Sequence, residues 1–315
     1  MSRQRTAAID LGSNTFRLLI AEPTDGTPPW RTVHYEHRIV RLGEGLHANG
    51  TLNTAARARA LQALHAFAAI LRKFDVPADA TLAVATAAMR EADNGPAFRE
   101  QVLRETGIHI EIIDGAQEAN LSLAGVRAVL HERVAKDFLL FDIGGGSTEF
   151  IRACATRCRD AISRRLGVVR LVERHLHSDP PSPEDYAAMI ETAQEHLRAV
   201  ERSWRDTYVP THLVGTAGTV TTLAATELDL CPYDADVINN HVMTRSAFVR
   251  LRDRLLALDH AGREAIRTIE PGRADLIIAG LAIVEAVLDH WHYDAMTIVD
   301  AGLLEGAWLH TQRLA

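Results

Sequence analysis

Lysine is nearly absent from this 315-residue chain: only Lys73 and Lys136 interrupt a basic complement otherwise made of arginine. Genome composition explains that bias as readily as function does, although arginine is the better fork for phosphate oxygens. Cysteine is scarce as well. Three thiols, Cys154, Cys158 and Cys231, supply no disulfide framework, and an odd number suits a reducing compartment. Cys154 and Cys158 are close in sequence, but no second Cys/His pair completes a zinc set, so they read as ordinary thiols. No apolar run approaches the ~18–20 residues of a membrane-spanning helix. The opening MSRQRTAAIDLG also lacks the apolar stretch of a signal peptide. These absences point to a cytoplasmic protein with no membrane partner. A net charge of −7 argues against coating nucleic acid, so no nucleic-acid partner is expected, while a local basic patch stays compatible.

What the chain does have is apolar mass: 47% of its residues are hydrophobic, enough for a sizeable core. Its length exceeds an ordinary domain, and two lobes are the natural expectation. The segment 6–11 reads as a strand ending in the polar turn Gly12-Ser13-Asn14, with a return strand over 16–21, a surface loop at Pro28-Pro29 and a third strand around 38–42. Ala58, Leu61, Leu64, Ala68 and Leu71 recur at helical spacing within 54–74. A β-branched and small run at 81–86, a helix over 96–105, a strand over 108–113 and a helix over 116–130 follow. Such alternation describes an α/β lobe with a mixed sheet.

The layout restarts at Phe138. A strand over 138–143 ends in Gly144-Gly145-Gly146-Ser147, and 148–153 returns. Asp10-Leu11-Gly12-Ser13 and Asp142-Ile143-Gly144-Gly145 thus read as one device used once per lobe. A helix from about 183 to 203, a strand over 211–214 closing on Gly215-Thr216-Ala217-Gly218-Thr219, helices over 245–258 and 273–291, a strand over 296–299 and a final helix complete the pattern. The expected lobes are 1–130 and 131–315, with the final helix as an element that can pack back on the first lobe.

Turns rich in Gly and Ser let several backbone N–H groups converge on phosphate oxygens. Gly12, Ser13 and Asn14 form one candidate; Gly144, Gly145, Gly146 and Ser147 a second; Gly215 and Thr216 a third. Each also reads as a tight strand exit, where glycine is merely tolerated. The combination of three such turns, interleaved hydroxyls and a preceding aspartate in two of them favours phosphate. Asp142 and Glu149 bracket the second turn and are the hard oxygen ligands magnesium takes alongside water and phosphate, with Asp10 a further candidate ligand. Glu118 lies in the first turn of its helix, where it reads equally as a general base and as an acid favoured by the helix dipole. Arg90 reads as a planar phosphate donor or as a surface ion pair. The arginine-rich stretch 152–174 contains Arg164 and Arg165, which read either as a track for a polyanion or as solvated surface.

On these residues the sequence closely resembles the exopolyphosphatase and guanosine pentaphosphate phosphohydrolase family. The matching segments include AAIDLGSNTFRLLI at 7–20, ATAAMREADN at 85–94, IIDGAQEANLSLAGV at 112–126, LLFDIGGGSTEF at 139–150, LVGTAGTVTTLAA at 213–225 and PGRADLIIAGLAIVEAVL at 271–288. They run in family order over essentially the whole chain. The resemblance implies a two-lobed α/β fold of the actin-like, sugar-kinase and Hsp70-like ATPase type, with ribonuclease H-like lobes and an active site in the interdomain cleft. It implies Glu118 as the catalytic glutamate, Arg90 as a substrate contact, Gly12–Asn14 and Gly144–Ser147 as phosphate loops, and Asp142 and Glu149 as metal-side carboxylates. The implied cofactor is magnesium or manganese, and the implied substrate is inorganic polyphosphate or guanosine pentaphosphate; a homodimer is carried as a partner expectation. Ala116 and Gln117 replace two usual acidic residues and Asn120 a usual arginine, departures that touch substrate grip. The chain resembles the short, two-lobed form, without the additional C-terminal helices of longer members.

Overall fold

A computed structural model describes residues 5–154 and 157–314. The reading of the N-terminal residues falls partly on 1–4, outside the described residues. Two compact units emerge: residues 1–129 with 301–315, and residues 130–300.

The first unit is built on a five-stranded sheet in the order β3-β2-β1-β4-β5. Its strands are β1 (Thr6–Leu11), β2 (Thr15–Pro23), β3 (Trp30–Ile39), β4 (Thr81–Ala85) and β5 (Ile110–Ile112). The first three form an antiparallel meander, while β4 and β5 run parallel to β1. Central β1 is buried along its whole length, which is why its sequence is almost continuously apolar. Asn53 caps helix Thr54–Lys73 by accepting the Ala56 amide at 2.7 Å, and that helix buries Ala60, Leu64, Phe67 and Leu71 in the core of this unit. The last helix, Leu303–Leu314, packs on helix Gly115–Val129 and on β1. Its Trp308 is fully buried and donates from the indole nitrogen to Thr6 O at 3.3 Å.

The second unit repeats the plan. β6 (Phe138–Ile143), β7 (Thr148–Ala153) and β8 (Cys158–Arg164) form the antiparallel meander; β9 (His212–Thr216) runs parallel to β6, and β11 (Ala295–Ile298) parallel to β9. β10 (His241–Thr244) adds an antiparallel edge beyond β11. The order β10-β11-β9-β6-β7-β8 therefore contains the first unit's five-strand pattern plus one strand. Helices Pro183–Ser203 and Leu276–His290 cover the face carrying Phe141 and Phe150.

The strand expected at 38–42 is displaced. β3 begins at Trp30 and ends at Ile39; beyond it Val40 and Arg41 donate to Asn14 O, both at 2.8 Å, and Gly43 donates to Ser13 O at 2.8 Å. Those residues strap the first turn instead of extending the sheet. β8 and β10 carry no separate signal in the sequence pattern, because edge strands lack a fully buried face.

Candidate functional site

The two glycine turns close in the same way. Gly12 N–H donates to Thr15 O at 3.2 Å and Gly144 N–H to Ser147 O at 2.9 Å, so each turn spends its first amide internally. Among the described residues, no acceptor within the chain takes the amides of Ser13, Asn14, Gly145 or Gly146. Two short runs of adjacent, uncommitted N–H groups result, the property that lets a turn bind an anion. Ser13 and Ser147 are both buried.

The second turn is braced from behind. Val168 and Val169, opening helix Val168–His175, donate to Gly144 O and Gly145 O at 3.1 and 3.0 Å. Arg170 Nε donates to Gly146 O at 2.8 Å. This approach depends on Gly167, where a Cβ would lie 2.3 Å from Gly145 O.

Strand register decides which polar side chains share a face. Asp142 on β6 stands opposite Glu149 on β7, Glu149 opposite Ser163 on β8, and Asp142 beside Thr216 on β9. Ser163, Glu149, Asp142 and Thr216 thus form a row across four strands. Asp142 and Glu149 are 8% and 2% exposed. Ser147 and Ser163 hydroxyls donate to Glu149 Oε1 at 2.9 and 2.7 Å. Two buried carboxylates placed directly opposite one another repel unless a cation or proton intervenes. Among the described residues there is no group of three or more His, Cys, Asp and Glu side chains arranged to cage a metal. A pair of hard oxygen donors flanked by hydroxyls instead suits a divalent ion that retains water and takes phosphate as its other ligands.

In the first unit the equivalent row is neutralised. Asp10 on β1 stands opposite Arg17 on β2, and Arg17 Nε and Nη2 donate to Asp10 Oδ2 at 3.0 and 2.6 Å. Burial works against the guanidinium's charge, but Asp10, with Tyr35 and Glu305, holds the Arg17 pKa above its ordinary value. Asp10 Oδ1 is buried and has no hydrogen-bond partner among the described residues, so one oxygen remains for a ligand. Arg17 carries no motif signal; only the register reveals it.

Glu118 and Arg90 are brought together. Glu118 is 6% exposed in the first turn of helix Gly115–Val129, and Arg90, on the short helix Ala87–Glu91, donates from Nη1 to Glu118 Oε2 at 3.1 Å and to Ile113 O at 2.8 Å. Arg90 is thus neither a lone surface group nor bound only to solvent.

The third turn divides. Thr216 joins the carboxylate row, whereas Gly215 faces the apolar side, where a Cβ would lie 2.9 Å from the Phe141 ring. Packing accounts for that glycine. Of the arginine-rich stretch, Arg152 is buried, bound to Asp160 and Asp206 and stacked on Trp204 at 4.4 Å, so it belongs to the core. Arg164 stands opposite Thr148, just after the second turn, on the face away from Glu149; its Nε is buried without a partner among the described residues. Arg165 is exposed. No helix among the described residues is long and apolar enough to cross a membrane.

Residues 19–313 match the model of a family described as the Ppx/GppA phosphatase family. The chain is 34% identical to "Exopolyphosphatase 2" of Mycobacterium tuberculosis over 97% of its length and 98% of that protein. It is 31% identical to the "Guanosine-5'-triphosphate,3'-diphosphate pyrophosphatase" of Aliivibrio fischeri, covering 95% of this chain and 58% of that one. Among solved structures, an exopolyphosphatase from Cytophaga hutchinsonii superposes with a TM-score of 0.88 at 31% identity, covering 98% and 97% of the two chains.

Proposed function

Because the chain belongs to the Ppx/GppA phosphatase family, we propose that it is an exopolyphosphatase, removing the terminal phosphate of inorganic polyphosphate with Glu118 as general base. The fold is the two-lobed α/β architecture of actin- and Hsp70-like proteins, and family membership makes the chain a hydrolase. The observation that carries the proposal is the duplicated turn, with its paired runs of uncommitted amides.

In this reading Ser13, Asn14, Gly145, Gly146 and Ser147 bind phosphate oxygens and offset the negative charge that develops on them. Glu118 orients a water and takes its proton as the water oxygen bonds to the terminal phosphorus. The bond from that phosphorus to the bridging oxygen breaks, and orthophosphate leaves from a chain one unit shorter. Arg90 holds the Glu118 carboxylate by one oxygen and contacts the substrate with the remainder of its fork. Asp142 and Glu149, with Asp10 through Oδ1, are the residues that would hold magnesium or manganese, which neutralises phosphate charge when bound. Arg164 and Arg165 contact non-terminal phosphates. The reaction is assigned to the cytoplasm, without a nucleic-acid or membrane partner, and to a homodimer.

A second reading, hydrolysis of guanosine pentaphosphate, is favoured by the likeness to the Aliivibrio protein. Orthophosphate release from polyphosphate, from guanosine pentaphosphate and from ATP, the last with candidate sugars, separates the alternatives. Release from polyphosphate supports the proposal, and release from guanosine pentaphosphate alone selects the second reading. Transfer to a sugar, or no turnover of any substrate by folded protein supplied with metal, contradicts both.

A further inference from the structure

Ala116 and Gln117 stand where the family resemblance sets acidic residues, immediately before Glu118. The structure gives Gln117 a defined task. Asp114 Oδ1 accepts the amides of Ala116 at 2.9 Å and Gln117 at 2.8 Å, and Gln117 Oε1 accepts the Asp114 amide at 3.0 Å. With Gly115 as the first helical residue, Asp114 is the N-cap and Gln117 the third position, so the two form a reciprocal capping box. The next amide, that of Glu118, makes the first full helical bond, to Asp114 O at 3.0 Å. Without a cap the opening amides of a helix lack partners and its first turn frays. Glu118 closes that first turn, so fraying of the turn would displace its carboxylate. On the preceding side, Arg90 fixes the strand exit at Ile113 O and touches Glu118 from the same Nη1.

We infer that Asp114 and Gln117 are positioning residues for Glu118, a conclusion that rests on reading Glu118 as the base. The box ties the backbone on both sides of the carboxylate to one geometry. The Gln117 amide oxygen serves as the acceptor that a glutamate would provide, without placing a second negative charge one residue from Glu118. The departure from the family's acidic pattern therefore keeps the cap and changes only the charge. Ala116 contributes its amide alone, and Asn120 is exposed beyond the box.

The test is steady-state phosphate release and thermal unfolding for Asp114→Ala, Asp114→Asn, Gln117→Ala and Gln117→Glu, with Glu118→Gln as control. Asp114→Ala lowers kcat about tenfold with KM within about twofold, because loss of orientation costs turnover before affinity. Asp114→Asn restores kcat, since asparagine caps as well as aspartate. Gln117→Ala, which removes one arm of the box, falls between, and it decides the matter if Asp114→Ala does not fold. Gln117→Glu keeps the box and moves the acidic limb of the kcat/KM profile to higher pH, because a neighbouring negative charge makes Glu118 harder to ionise. Wild-type kcat in both alanine variants alongside an inactive Glu118→Gln overturns the inference while leaving the base assignment standing. Full turnover by Glu118→Gln overturns the base assignment itself.

Discussion

In the first unit the aspartate that precedes the glycine turn faces an arginine; in the second it faces a glutamate. The strand-turn-strand frame that carries the two pairs is alike. Each aspartate lies two residues before a glycine, each glycine closes its turn with the same backbone bond, and each turn joins the first two strands of the same meander. One pair is an ion pair made through a single aspartate oxygen, Asp10 Oδ2. The other sets two buried carboxylates directly opposite one another, the arrangement behind the proposed metal site. The same turn thus stands in both copies, and the residue at one register position differs in charge, Arg17 against Glu149.

The largest effect that tests this contrast comes from Glu149→Gln and Asp142→Asn. Each is expected to lower phosphate release by about 10²–10³-fold, the scale of lost metal-assisted charge stabilisation. Magnesium is expected to raise the melting temperature of the wild-type protein and to leave that of each variant unchanged, a readout independent of turnover. A magnesium-dependent shift that survives both substitutions breaks the assignment. Loss of the shift in Asp10→Asn as well would instead sharpen it, by showing that Oδ1 of Asp10 is a ligand too.

Next is Arg17→Met. Removing the guanidinium leaves Asp10 as a buried charge without its partner, at a cost of about 3 kcal/mol in unfolding free energy. In metal-free protein Glu149→Gln should have the opposite sign or none, because it relieves repulsion while its side-chain oxygen can still accept from Ser147 and Ser163. Chemical denaturation of both variants in chelator checks the pair, and equal destabilisation would mean that the two rows are not electrostatically different.

A smaller effect is expected from Gly167→Ala. Its Cβ would meet Gly145 O, so helix Val168–His175 must retreat from the second turn at a cost of about 1–3 kcal/mol. The first turn is strapped by loop residues 40–43 and has no such helix behind it. Weaker binding of polyphosphate together with a lowered melting temperature would show that the brace shapes the turn; unchanged values for both would remove it from the account.

The turns and their aspartates were legible in the sequence because Asp-Leu-Gly-Ser and Asp-Ile-Gly-Gly are local patterns ending apolar central strands. The full extents of β3 and β8 were not, since Trp30–Ile39 and Cys158–Arg164 are edge strands with no fully buried residue and little alternation. Missing β8 hid Ser163, and with it half of the hydroxyl support for Glu149. Arg17 was equally hidden, because seven residues in sequence become neighbours only when the hairpin register is known. Glu118 could be placed in its first helical turn but not tied to Arg90, which reaches it from 28 residues away. The close approach of Gly215 to Phe141 was hidden as well, because it depends on the pairing of β9 with β6.

The most direct test of the central claim is to compare Glu118→Gln with the wild-type protein in polyphosphate binding and in single-turnover phosphate release. With Glu118 as the base, the variant's dissociation constant stays within about threefold of wild type and release slows by about 10²–10⁴-fold, the contribution of a general base. Binding and turnover falling together would contradict it and make Glu118 a substrate-binding residue; undiminished release would remove it from the chemistry altogether.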